Sequence, residues 1–178
     1  MTDHSATRIR TADLTGNRRR PFDLKPGAEG LAALAADLGL LSLMRLRFVG
    51  ELRPQGRSDV KLEARLLAAG DQACVVTLAP VPFVLEVPVD RLYVAGMIDP
   101  EGDEVEMPED DSREPLPETV DLEAVMAEAL ALALPDYPRA PGAELGQAVF
   151  AEPGTAPLTD EALRPFAGLA ALKGKLDG

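Results

Sequence analysis

The chain has 178 residues, enough for one domain with a core and appendages, and 46% of them are apolar with few aromatics. A single cysteine excludes an internal disulfide framework. Without an apolar run of membrane length or an export signal, the chain is expected to be soluble and cytoplasmic, with no membrane contact.

The net charge of −12 disfavours tight independent binding to nucleic acid, which relies on Lys and Arg neutralising phosphates. The charge is uneven, however. Residues 1–65 hold 12 Lys/Arg against 8 Asp/Glu, whereas residues 66–178 hold 6 against 22. A local basic patch and a basic protein partner are both compatible with that balance.

In chain order, residues 1–20 read as a flexible basic arm carrying Arg8, Arg10, Arg18, Arg19 and Arg20. A phosphate-contacting arm and a solvated terminus are the two readings, and Thr11–Leu14 is placed against a sheet edge. Pro26–Gly39 reads as a helix, because Leu31, Leu34, Ala35 and Leu38 form an amphipathic stripe and Gly39 suits the left-handed residue that ends it.

Leu41–Leu52 reads as a strand with Met44, Leu46 and Phe48 on one face and Leu43, Arg45, Arg47, Val49 and Glu51 on the other. The clearest alternation follows at Asp59–Leu67, where Val60, Leu62, Ala64 and Leu66 oppose Lys61, Glu63 and Arg65. Gly70-Asp71 then reads as a turn, Gln72–Leu78 as another strand stopped by Pro80 and Pro82, and Phe83–Val89 as a further one. The whole is an antiparallel meander. Pairing of the first two strands puts Arg45, Arg47, Lys61 and Arg65 on one face, a candidate contact for RNA or an acidic partner. Interleaved Glu51 and Glu63 favour a solvated face of mixed charge instead.

Residues 99–118 carry ten acids, one base and four prolines, a composition that reads as a disordered surface loop. Its candidate contacts with a basic partner are Asp103, Glu104, Glu106, Glu109, Asp110 and Asp111. Asp121–Leu134 reads as a second helix with a stripe of Leu122, Val125, Met126, Ala129, Leu130 and Ala133, ended by Pro135. Residues 138–156 read as loop. A segment capped by Thr159, with Leu163, Phe166 and Leu169 on one face, follows and is expected to dock on the body.

Five stretches, taken in order, carry a family resemblance: Gly50-Glu51-Leu52, Cys74-Val75-Val76-Thr77-Leu78-Ala79-Pro80-Val81, Asp121-Leu122, Ala131-Leu132-Ala133-Leu134-Pro135 and Pro165-Phe166-Ala167-Gly168-Leu169. Their order and spacing, from about Phe22 to Lys173, resemble the YceD family of large ribosomal RNA subunit accumulation proteins. Many relatives carry a Cys-x-x-Cys pair here and a second cysteine pair after the helix, which implies zinc in those members. This chain has Thr77 in place of the second cysteine and no cysteine after Pro138, and its lone His4 is far away, so no metal is expected.

With that resemblance the chain divides into an arm at 1–20, a YceD-like α+β domain at 21–157 and a C-terminal segment at 158–178. The expected domain is an antiparallel, curved or barrel-like sheet of four or more strands with two packed helices and the long acidic loop. No oriented nucleophile–base pair and no phosphate-cradling glycine motif appears, so a non-enzymatic protein without cofactors is expected. The resemblance implies a factor supporting large-subunit rRNA accumulation through processing, protection or assembly, with rRNA or a pre-ribosomal particle and a basic ribosomal protein as partners. The alternatives are a protein-interaction adaptor that does not touch RNA and a metal-dependent nuclease built on the acidic cluster.

Overall fold

The computed structural model describes residues 7–14, 18–97 and 113–144. Its main sheet has the order β2-β3-β4-β5-β6, formed by Arg20–Leu24 (β2), Ser42–Gln55 (β3), Asp59–Ala73 (β4), Pro80–Val94 (β5) and Arg113–Pro115 (β6). Arg8–Arg10 (β1) and Thr119–Asp121 (β7) make a separate antiparallel ribbon. With helices α1 (Ala28–Asp37) and α2 (Leu122–Ala133) the class is α+β, as the sequence implies.

The alternation of 59–67 does what its period requires: Val60, Leu62 and Leu66 are buried, and the intervening Lys61, Glu63 and Arg65 point to the other face. The core sits between that apolar face and the helices. Phe48, Leu52, Leu62 and Leu66 of the sheet join Ala35 of α1 and Leu122, Val125, Met126, Ala129 and Leu130 of α2 in one cluster. Asp121 caps α2 by accepting from the Glu123 and Ala124 amides at 3.1 and 3.2 Å. Gly39, at φ +65°, ends α1 in the left-handed region as the sequence predicts.

Several expectations are corrected. The sheet is open, not barrel-like, among the described residues: β2 and β6 are its edges. Closure would need those edges to pair, and the short strands β1 and β7 pair with each other instead. The pairing is also not wholly antiparallel, because β6 runs parallel to β5. Thr11–Leu14 forms a 3-10 turn, and its contact with a sheet edge is made by Thr11, whose amide donates to the Glu118 carbonyl beside β7 at 3.0 Å. The sheet-forming residues in that stretch of the expected arm are Arg8–Arg10.

Gly70-Asp71 is not a turn. β4 runs through it, since a Cβ at Gly70 would lie 2.2 Å from the Ser42 carbonyl, and Asp71 accepts from the Ser42 hydroxyl at 2.7 Å. The glycine there permits close strand approach. The reversal falls instead at Val75–Thr77, so Gln72–Leu78 is the end of β4 and a tight turn, and Pro80 and Pro82 open β5 rather than stop a strand. Finally, the pairing register shifts between Leu43 and Arg45, leaving Met44 exposed and Leu43 buried. One inserted residue inverts the facing of everything before it.

The central and greater part of the acidic loop (98–112), its six candidate contacts Asp103, Glu104, Glu106, Glu109, Asp110 and Asp111, His4 and the segment from 145 onward lie outside the described residues. Arg113–Pro115, at the end of the expected loop, is β6.

Candidate functional site

The register of β3 on β4 places Arg45, Arg47, Lys61 and Arg65 on the face away from the core, as the alternation implies. Three of these cations are held by carboxylates of the same chain. Arg47 forks onto Asp23 at 2.8 and 3.0 Å, Lys61 reaches Glu63 at 2.6 Å, and Arg65 reaches Glu86 at 2.8 Å. Among the described residues Arg45 has no such partner. Arg47, followed by Lys25, lowers the Asp23 carboxyl to about 2, and Arg53, followed by Lys61, lowers Glu63 to about 2.

Sequence reasoning overlooked two of the groups that neutralise this face. Arg53 makes a bidentate pair with Glu63 at 2.9 and 3.2 Å, and Asp23 comes from β2, the neighbour of β3. Arg53 was detectable, because it continues the Arg45–Arg47 alternation along one strand. Asp23 was not, since its approach depends on β2 joining this edge.

The second feature is the turn between β4 and β5. Cys74 is fully buried, and its sulfur accepts from the Val76 and Thr77 amides at 3.4 Å each and from the Ala140 amide at 3.3 Å. The Ala140 amide, followed by the Thr77 side chain, lowers the thiol to about 6 despite burial. Backbone bonds reinforce the junction: Val75 donates to the Pro138 carbonyl at 2.9 Å, and the Gln72 side chain donates to the Pro135 carbonyl at 3.2 Å. Cys74 therefore fastens the turn to the chain that leaves α2.

A family model described as "Large ribosomal RNA subunit accumulation protein YceD" matches residues 62–173, from within β4 past the end of α2. The chain belongs to the YceD family. No curated protein and no solved structure matches it. The match takes in four of the five stretches that carry the resemblance, while Gly50-Glu51-Leu52 precedes it.

In this YceD protein the turn does not fit the zinc expected of relatives with paired cysteines. The groups around the sulfur are backbone amides and Thr77, and among the described residues no group of three His, Cys, Asp or Glu side chains assembles to hold a metal. A single thiol cannot supply the four ligands that a structural zinc needs. Among the described residues no helix is long and apolar enough to cross a membrane.

Proposed function

We propose that this YceD protein is a non-enzymatic cytoplasmic factor that supports accumulation of large-subunit ribosomal RNA during ribosome biogenesis. The family match over residues 62–173 carries the reading. The charge distribution suggests how it acts. Its basic residues 1–65 face RNA in a pre-ribosomal particle, and its acidic residues 99–118 attract a basic ribosomal protein. Such an adaptor works by holding partners together, so it needs no nucleophile or cofactor.

A second reading, a protein-interaction adaptor without RNA contact, is favoured by the pairing of Arg47, Lys61 and Arg65 with internal carboxylates. Both are tested by depleting the protein and measuring the ratio of large- to small-subunit rRNA alongside sucrose-gradient profiles. A selective loss of large-subunit rRNA is expected, and an unchanged ratio refutes the proposed function. Crosslinking to RNA in the same cells separates the two readings.

A further inference from the structure

We propose that a cleft between β1 and the start of β2, lined by Arg8, Arg10 and Arg20, binds the phosphodiester backbone of RNA. It rests on the reading of this protein as an rRNA factor and names its contact surface. The cleft has a volume of about 630 Å³, within the range of ligand-sized sites, and is bounded also by Asp13, Leu14 and Thr119.

Its geometry follows from the alternation of β1. Arg8 and Arg10 point to one exposed side while Ile9 between them is buried, so their backbone positions lie about 6.7 Å apart along the strand. Arg20, at the exposed start of β2, supplies a third from a different sheet and has no ion-pair partner among the described residues. Convergence of three arginines from two sheets is not something a solvated tail produces.

The internal competition for these cations is modest. Arg10 forks onto Asp13 at 3.2 and 3.4 Å and Arg8 meets Asp121 at 3.1 Å, and both arginines are themselves largely exposed, so water screens the pairs. Arginine's planar fork matches two phosphate oxygens at once. On the sheet face the forks are shorter, at 2.8 and 3.0 Å for Arg47 on Asp23 and 2.9 and 3.2 Å for Arg53 on Glu63. Among the described residues no aromatic side chain lines the cleft to stack a base, so the recognition proposed is of backbone and not of sequence.

The test is fluorescence anisotropy of a labelled mixed-sequence oligoribonucleotide with the purified full-length chain, across a salt series. Arg8 is left intact because Asp121, its partner, also caps α2. The Arg10→Gln/Arg20→Gln variant is expected to bind about tenfold more weakly, with the slope of log affinity against log salt reduced by about 1.4 for two lost single-strand phosphate contacts. Arg20→Gln alone, which has no ion pair to lose, halves that slope change and keeps the test valid if the double variant is poorly folded. Arg10→Lys/Arg20→Lys restores most of the salt slope but less of the affinity. Arg57→Gln, the same single charge loss as Arg20→Gln but in the exposed turn after β3, changes binding by less than about twofold.

The proposal is overturned if wild type gives no anisotropy change at low salt, or if the loss follows Arg45→Gln/Arg65→Gln and not the cleft variants. It is also overturned if inorganic phosphate displaces the oligonucleotide at matched phosphate concentration, which would make the occupant a small anion. None of these outcomes alters the rRNA ratio on depletion, so the function and its surface stand or fall separately.

Discussion

Arg91 offers the sharpest test of how the helix layer is held to the sheet. It lies near the end of β5 on the core face, beside buried Tyr93 and opposite Leu62, and donates to Glu114 of β6 and Glu128 of α2, both at 3.0 Å. Its side chain is 12% exposed, against 38% for Glu114 and 55% for Glu128. Arg91→Met keeps the aliphatic stem but removes the charge that both carboxylates face.

Breaking a fully buried pair costs about 3–5 kcal/mol, because the remaining charge is stranded in a poor solvent. Here both carboxylates can turn toward water, and the arginine no longer has to be desolvated. The expected loss is therefore about 1–2 kcal/mol. For a chain of this size that corresponds to a fall in Tm of roughly 2–8 °C. Urea denaturation should show a lower midpoint with an unchanged slope. The triple variant Arg91→Met/Glu114→Gln/Glu128→Gln should recover to within about 1 kcal/mol of wild type, since no charge is then left unpaired. An Arg91→Met protein as stable as wild type, or a triple variant no better than the single one, refutes the argument.

Four further outcomes are expected. Asp23 and Glu63 have folded values of about 2 against ordinary values of 3.8 and 4.5, so the unfolded chain takes up protons first and stability falls from about pH 4.5 toward pH 2; Asp23→Asn and Glu63→Gln should flatten that loss in an acid titration followed by circular dichroism. The Cys74 thiol is lowered from 9.0 to about 6, so stability should rise with pH across that window, and urea midpoints of Cys74→Ser should lose the dependence. In the folded protein, alkylation of Cys74 should be slow at every pH in this range, because the sulfur is fully buried. Gly50→Ala should destabilise by about 1–3 kcal/mol in the same urea assay, because its Cβ would lie 2.3 Å from the Glu63 carbonyl oxygen and 2.6 Å from the Ala64 Cα, backbone atoms that cannot swing away.

Local pattern alone determined a good part of this protein. Period-two alternation located β4 and its buried face, a 3.6-residue stripe located α1 and α2, and Asp121 and Gly39 marked helix ends through chemistry that acts within a few residues. Five ordered motifs were enough to place the chain in its family. Even the row of Arg45, Arg47, Lys61 and Arg65 was correctly assigned to one face.

What those cations meet was decided by tertiary structure. Asp23 reaches Arg47 because β2 pairs with β3, and Glu86 reaches Arg65 because β5 pairs with β4, contacts that no sequence period encodes. The same holds for Met44, turned outward by a register shift, and for Gly70, whose missing side chain serves close packing where its composition suggested a turn. Cys74 finds the Ala140 amide 66 residues away, and Arg8, Arg10 and Arg20 converge only when β1 joins β7 beside the main sheet. A residue's own geometry fixes which side of a strand it occupies, but its charge environment is set by groups distant in sequence, which only the assembled sheet brings within range.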